Sequence, residues 1–258
     1  MFAYMGGKTQ HIKYLDRIFP KSSKSMVDVF GGAGWVSLKT QHHAENRIYN
    51  DINPWLASAF SCFKTEPDRI KDLLTAWPHH NAELYRQFQK DIFGQQSVEI
   101  DTLSTAKFLY LQTQTFSGNT LGLTSSVYFN KLKSPQTVIN KLNKPHIIER
   151  LQSLSVENKD FSHILNEYDS EDTFFYLDPP YYKLEHYYTS VFAHSQHAVL
   201  AKMLSRLRGR FALSYYFFPE LEQWFPRNKF NHHTYTLVKT SSSAKNKSIG
   251  TELVITNY

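Results

Sequence analysis

Cysteine is almost absent from the sequence, since Cys62 is the only one among 258 residues. A single thiol cannot form an intramolecular disulfide, and it excludes a metal site built from cysteines. We interpret Cys62 as a small buried hydrophobic residue. The 12 histidines show no metal-binding spacing, because adjacent pairs such as His42-His43 direct their rings to opposite sides of a strand. The sequence therefore predicts no metal site.

Long apolar runs are missing as well. No stretch approaches the ~18 consecutive apolar residues of a membrane span, and no apolar signal segment opens the chain. The sequence also has no internal repeat and no low-complexity tract. We therefore expect a soluble, cytoplasmic protein without a membrane partner.

Positive charge and aromatic residues are abundant. The formal net charge is +6, with 29 Lys and Arg against 23 Asp and Glu, which favours a polyanionic partner without establishing one. The chain contains 16 Tyr and 19 Phe. Aromatic rings at this density can stack on nucleic-acid bases as well as fill a core.

The first 54 residues have the pattern of a βαβ unit. A buried strand over Ser25–Phe30 leads into the turn Gly31–Gly34, and a helix over Trp35–His43 is followed by a strand over Arg47–Asp51. Four helical periodicities follow, at Trp55–Phe63, Glu66–Trp77, Asn81–Phe93 and Leu103–Phe116, and they give way to a polar stretch at 117–133. We predict a mainly helical domain at 55–145, inserted into a discontinuous domain formed by 1–54 and 146–258.

The strand and helix alternation resumes after Pro145, which predicts an α/β fold. The predicted elements are a helix at His146–Leu151, an extended segment at Ser155–Phe161, helices at Ser162–Glu167 and His194–Leu207, and strands at Thr173–Leu177, Arg210–Tyr215 and Glu252–Thr256.

Two motifs could carry chemistry. A glycine turn after a strand, as in Asp28–Gly34, lets a ligand approach the backbone, and Asp51, 17 residues beyond Gly34, suits ribose hydroxyls. A dehydrogenase or an ordinary tight turn would explain this motif equally well.

The segment Asp178-Pro-Pro-Tyr181 follows a buried strand, where a carboxylate and a carbonyl could accept the two hydrogens of an amino group. Without context, a Pro-Pro turn that packs Tyr181 on the core is an equal alternative.

Together the motifs resemble the Dam-like, D12-class N6-adenine-specific DNA methyltransferases in their alpha arrangement. Phe30–Gly34 is similar to the cofactor motif of that family, Asn50–Asn53 to its ribose motif, and Asp178–Tyr181 to its catalytic motif. Tyr4–Lys8 resembles its N-terminal motif, and Thr251–Tyr258 its closing strand. The resemblance implies a Rossmann-like, class I methyltransferase fold with S-adenosylmethionine as cofactor and an inserted target-recognition domain.

The resemblance also implies site residues. The expected catalytic residues are Asp178, Pro179, Pro180 and Tyr181. The expected cofactor contacts are Tyr4, Gly6, Gly7, Lys8, Asp28, Phe30, Gly31, Gly32, Gly34, Asp51, Ile52 and Asp178. Lys8 could pair with the carboxylate of the methionine moiety or with a neighbouring aspartate. Asp178 and the Pro179 carbonyl would accept the hydrogens of the adenine amino group, and the flipped base would rest on Tyr181.

Double-stranded DNA is the expected partner, and a restriction endonuclease acting on the same site is a further one. The expected DNA contacts are Phe116, Asn119, Tyr128, Asn130, Lys131, Lys133, Lys245 and Lys247. Residues 117–130 contain no Arg or Lys, which excludes guanine recognition by arginine from that stretch. Contacts of Lys131, Lys133, Lys141 and Lys144 to phosphates alone are equally consistent with the sequence.

Other functions remain open at this point. The same chemistry could act on an amino group of RNA or of a protein glutamine, although the aspartate in Asp178–Tyr181 and the large insertion favour DNA adenine. A non-catalytic DNA-binding relative would have no reason to retain that tetrad. A dehydrogenase would need a hydride-transfer site, which the sequence does not reveal.

Overall fold

The computed structural model describes residues 1–2, 7–115, 127, 134–182, 192–238 and 249–258. The strands found in these ranges are β1 (Ser22–Asp28), β2 (His43–Asn50), β3 (Leu154–Glu157), β4 (Thr173–Leu177), β5 (Arg210–Tyr215), β6 (Asn231–Val238) and β7 (Ile249–Thr256). The helices are α1 (Ile12–Ile18), α2 (Trp35–Lys39), α3 (Pro54–Thr65), α4 (Pro67–Ala76), α5 (Ala82–Phe93), α6 (Thr102–Thr113), α7 (Gln136–Leu142), α8 (Pro145–Gln152), α9 (Phe161–Tyr168), α10 (His194–Leu204) and α11 (Leu221–Trp224).

One sheet holds all the described strands in the order β3-β2-β1-β4-β5-β7-β6. The five strands from β3 to β5 are parallel, whereas β7 runs antiparallel to both β5 and β6. This is the predicted α/β, Rossmann-like fold, which is thereby confirmed. The carboxyl ends of the five parallel strands meet at one side of the sheet, which we call the carboxyl edge, and open α/β sheets bind ligands at such an edge.

The first two strands begin earlier than the sequence indicated. The helix predicted over Trp35–His43 ends at Lys39, and His43 already pairs with Ser22 in the first position of the β1–β2 ladder. The amino-terminal halves of both strands are largely exposed and polar, so their hydrophobic pattern marks only the buried ends. Backbone pairing, which the pattern does not report, extends the strands.

The remaining elements lie close to their predicted positions. All four helices predicted from residue 55 to 116 are present as α3 to α6, and the strands β4 and β5 have the predicted bounds. The helix α10 ends at Leu204 instead of Leu207, where the chain turns towards Gly209; a Cβ there would lie 2.8 Å from the ring of Phe175. The extended segment predicted to Phe161 ends at Glu157. The helices α1, α7 and α11 and the strand β6 were not predicted.

The sheet is covered on both faces. One face of β1, β4, β5 and β7 packs against α1 through a cluster that includes Leu15 and Phe174, and the other packs against α9, α10 and α11. The helices α3 to α8 share a third cluster with the sheet, in which the ring of Phe60 stacks on Tyr49 at 4.0 Å. The predicted domain boundary after residue 54 falls at the first turn of α3.

Candidate active site at the carboxyl edge

The glycine turn after β1 is shaped by contacts with the protein itself. Gly32 and Gly34 have φ angles of 50° and 67°, which glycine adopts without steric cost. A Cβ on Gly34 would lie 2.2 Å from the ring of Phe60, and a Cβ on Gly31 would lie 2.2 Å from Tyr49. The Tyr49 hydroxyl also donates to the Gly32 carbonyl at 2.7 Å. The two rings therefore require glycine in this turn, whatever ligand it binds.

Asp51 follows β2 and connects that strand to the glycine turn. Its Oδ2 accepts a hydrogen bond from the Gly32 amide at 2.8 Å, and its Oδ1 accepts one from the Asn53 amide at 2.9 Å. Burial raises the pKa of Asp51 to about 6, against the effect of these two hydrogen bonds. A carboxylate can accept about four hydrogen bonds, so capacity for ribose hydroxyls remains. The next residue, Ile52, is exposed.

Asp28 ends β1 and is buried. Its Oδ2 accepts hydrogen bonds from the hydroxyl of Ser37 at 2.6 Å and from its amide at 3.2 Å, in the first turn of α2. Burial raises the pKa of Asp28 to about 7; repulsion by Asp178 and Asp51 adds to this, and the Ser37 hydrogen bonds oppose it. Because β2 and β4 flank β1 in parallel, the three carboxylates converge at the carboxyl edge.

Asp178 follows β4 and pairs with Lys8. The Lys8 Nζ lies 2.8 Å from Asp178 Oδ1 and 3.1 Å from the Tyr181 hydroxyl, and the Tyr181 hydroxyl donates to Glu252 Oε2 at 3.0 Å. Burial raises the pKa of Asp178, whereas the ammonium group of Lys8 lowers it and Glu252 raises it further. Of the two pairings predicted for Lys8, the one with a neighbouring aspartate is present.

Tyr181 presents its ring within an aromatic surface. The edges of Tyr215 and Tyr216 approach it with centroid distances of 6.1 and 5.2 Å, and the Lys8 ammonium lies 5.0 Å from its centroid. Pro179 and Pro180 are both buried, and they fix the backbone between Asp178 and Tyr181. The tetrad thus forms a rigid corner beside the glycine turn.

A small pocket opens between the ends of β1 and β2 and the start of α9. Three rings surround it, those of Phe30, Phe161 and Phe192, with centroids 5.7 to 5.9 Å apart. Ile52 and Asp160 line the same pocket. Its volume is about 30 Å³, so a purine could enter only if the three rings moved apart. Walls of aromatic side chains are nevertheless typical of sites that bind flat rings.

Several residues of this site were not predicted from sequence. Glu252 contacts Tyr181 across 71 positions, and Asn50 binds the Val29 carbonyl and both backbone groups of Lys159. The extended segment predicted over Ser155–Phe161 included Asp160, whereas β3 ends at Glu157 and leaves Asp160 at the carboxyl edge.

Many of the predicted contacts lie outside the described residues. These are Tyr4, Gly6, Phe116, Asn119, Tyr128, Asn130, Lys131, Lys133, Lys245 and Lys247. Gly7 is described and exposed. The Nζ of Lys141 lies over the Trp35 ring at 4.5 Å and donates to the Met1 carbonyl, so the protein itself contacts this charge.

Other predictions from composition can also be compared with the structure. Cys62 is buried in the cluster shared by α3 to α8, as expected of a small hydrophobic residue. In the described ranges, no group of three or more His, Cys, Asp or Glu residues could hold a metal ion. Among the helices that the structure describes, none is long and apolar enough to cross a membrane.

Comparison with known proteins assigns the family. Residues 4–241 match the D12 class N6 adenine-specific DNA methyltransferase family. The chain is 26% identical to the type II methyltransferase M1.LlaDCHI of Lactococcus lactis subsp. cremoris, over 99% of this chain and 94% of that protein. It is 26% identical to a DNA adenine methylase of Vibrio cholerae over 69% of this chain, and spans 63% of that protein.

A third relative is much longer than this chain. The modification methylase StsI of Streptococcus sanguinis is 26% identical over 69% of this chain, which spans only 28% of that protein. The family match covers far more than half of the chain and includes the glycine turn, Asp51 and the Asp178–Tyr181 tetrad. The resemblance stated from sequence is thus confirmed: the chain belongs to the D12 class of N6 adenine-specific DNA methyltransferases.

Proposed function

We propose that this chain transfers the methyl group of S-adenosylmethionine to the N6 amino group of adenine in a specific sequence of double-stranded DNA. The observation that carries the proposal is the position of Asp178. It lies at the carboxyl edge, paired with Lys8, next to the glycine turn and to a small pocket walled by aromatic rings. At this position Asp178 could hold the target amino group next to a methyl donor bound at the glycine turn.

The residues of the carboxyl edge fit S-adenosylmethionine. Phe30, Phe161 and Ile52 would enclose the adenine ring, with Asp160 at the mouth of the pocket. Asp51 would accept hydrogen bonds from the ribose. When bound, this cofactor supplies an activated methyl group on a sulfonium. The glycine turn and Lys8 would contact its remaining part, together with Tyr4 and Gly6.

Asp178 would act on the target base as a hydrogen-bond acceptor. The adenine amino nitrogen is a poor nucleophile because its lone pair is conjugated with the ring. Asp178 and the Pro179 carbonyl would accept its two hydrogens, which localises the lone pair for direct attack on the methyl group. This role requires the carboxylate form, and Lys8 favours that form against the effect of burial.

The target adenine would leave the DNA stack to reach this corner, because the N6 group of a paired base is not accessible. Tyr181 offers its ring to the flipped base, while its hydroxyl is held by Glu252. The inserted domain at 55–145 would recognise the DNA sequence, and Phe116, Asn119, Tyr128, Asn130, Lys131, Lys133, Lys245 and Lys247 remain the proposed contacts. A restriction endonuclease acting on the same site is a proposed partner, since relatives are named type II methyltransferases.

The test is methyl transfer from labelled S-adenosylmethionine to unmethylated plasmid DNA, followed by nucleoside analysis. We expect label in N6-methyladenine with the wild-type chain and none with Asp178→Ala, which should still bind DNA. Asp172→Ala, an exposed change just before β4, is the matched control and should retain activity. Label in cytosine, in RNA or in protein would refute the proposal, as would normal activity of Asp178→Ala.

A further inference from the structure

A second polar recess lies away from the carboxyl edge. It is a cleft of about 1300 Å³ between α1, the end of α2, the start of β2 and α8. Arg47 and Arg150 line it, and we call it the arginine cleft. Arg47 precedes Asp51 by four strand positions, which places the two Cα atoms about 13 Å apart along β2. The arginine cleft therefore adjoins the opposite half of the strand from the candidate active site.

Arg47 is buried, and the nearby carboxylates of Asp28 and Asp16 only partly oppose the effect of burial on its pKa. One Nη donates to the His42 carbonyl, and the other lies 3.0 Å from the thioether sulfur of Met26, a weak acceptor. Its Nε has no hydrogen-bond acceptor within the described part of the chain. No described carboxylate approaches within salt-bridge distance, although a buried charge is costly unless it is paired.

Arg150 reinforces this positive charge. The Arg150 guanidinium has no hydrogen bond or salt bridge to any residue that the structure describes, and it is half-buried. Burial lowers the pKa of Arg47 to about 10, and repulsion by Arg150 contributes to that decrease. Two guanidinium groups thus face the same cleft and repel each other.

The other charges of the cleft also leave a positive surplus. Lys13 and Lys39 add two cations, whereas Asp16 and Glu149 are its only carboxylates among the described lining residues. Asp16 is engaged by the Gln41 amide, which donates to it at 2.8 Å. Burial lowers the pKa of the neighbouring His42, so its ring is neutral at pH 7.

We propose that the arginine cleft binds a phosphate group, at a site separate from methyl transfer. A phosphate would accept bidentate hydrogen bonds from the half-buried Arg150 guanidinium, and its negative charge would offset the repulsion between Arg150 and the buried Arg47. The phosphate comes either from a free nucleotide or from the backbone of a DNA segment.

The test is calorimetric titration with inorganic pyrophosphate at low ionic strength. We expect saturable binding to the wild-type chain and binding weakened about tenfold or more by Arg150→Gln, the loss expected for a charged hydrogen bond. Arg227→Gln makes the same change in net charge on a surface outside the cleft and should bind like wild type. Absence of binding, or equal weakening by both substitutions, would overturn the proposal.

Two further variants separate a binding defect from a folding defect. Lys39→Gln changes an exposed residue and should also weaken pyrophosphate binding. Asp16→Asn removes a competing carboxylate and should tighten binding, a gain that misfolding cannot produce. If Asp16→Asn weakened binding while remaining folded, the cleft would not be an anion site.

A fluorescent DNA duplex and ATP then identify the source of the phosphate. If the source is DNA, Arg150→Gln should weaken duplex binding and pyrophosphate should compete with the duplex. If the source is a nucleotide, ATP should bind with the same dependence on Arg150 while duplex binding stays unchanged. If Arg150→Gln affects neither, the pyrophosphate is an adventitious ion only and the proposal fails. None of these measurements depends on methyl transfer.

Discussion

The buried carboxylate of Asp28 makes the stability of this protein depend on pH in a direction that can be tested. Its side chain is 2% exposed, and burial raises its pKa from 3.8 to about 7. Between these two values the folded chain binds more protons than the unfolded chain. The free energy of unfolding should therefore fall as the pH rises from about 4 to about 7, and level off above that.

The amide in Asp28→Asn should remove the contribution of Asp28 to this dependence, while those of Asp51 and Asp178 remain. Each pKa unit corresponds to about 1.4 kcal/mol, so a difference of about three units gives an upper value of about 4 kcal/mol. The amide oxygen can still accept both hydrogen bonds from Ser37. We expect Asp28→Asn to be about 2–4 kcal/mol more stable than wild type at pH 8, and nearly equal to it at pH 4.

Urea unfolding at a series of pH values measures this difference. Asp72→Asn, the same substitution at an exposed position of α4, should show no such trend. The reasoning would be refuted if the difference between Asp28→Asn and wild type were the same at pH 4 and pH 8. It would also be refuted if the variant were the less stable protein at pH 8, since the carboxylate would then be favoured by its surroundings.

Three other substitutions test single contacts at the carboxyl edge. Asn50→Ala should cost about 2–4 kcal/mol in urea unfolding, because three backbone groups lose their partner. Gly34→Ala should lower stability by about 2–4 kcal/mol in thermal unfolding, from positive φ and the clash with Phe60. Glu252→Gln should lower the pKa of Asp178 by removing repulsion, so the acid limb of kcat/KM should move to lower pH; an unchanged limb would contradict this. The side-chain oxygen in Glu252→Gln can still accept the hydrogen bond from the Tyr181 hydroxyl, so the position of Tyr181 should not change.

The parts of the site that could be predicted are those whose chemistry is contiguous in sequence. A strand that ends in Asp28, followed by glycines, indicates a ligand turn, and Asp178–Tyr181 carries acceptors in adjacent positions. The sequence did not reveal why the fold requires glycine at these positions. Gly31 and Gly34 make room for the rings of Tyr49 and Phe60, and no local pattern reports which ring will pack on which turn.

Contacts between distant segments account for most of what the sequence did not reveal. Glu252 looked like an ordinary residue of a closing strand, and only the antiparallel position of β7 beside β5 brings it to Tyr181. Arg47 similarly resembled a polar residue at a strand start. Whether Arg47 forms a salt bridge depends on which side chains the fold brings next to it, and hydrophobic periodicity does not report such contacts.

The charges of the carboxyl edge affect whether the proposed cofactor would bind more tightly as the methyl donor or as the product that has lost its methyl group. Asp178 and Asp51 both repel Asp28 there, and Lys8 is the cation placed against Asp178. A sulfonium donor would add a positive charge near these carboxylates, whereas loss of its methyl group leaves a neutral thioether. The same carboxylates should therefore favour the donor over the product electrostatically. The raised pKa values of Asp28 and Asp51 reflect the same arrangement, because burial opposes the ionisation of both and repulsion by Asp178 and Asp51 adds to the effect at Asp28.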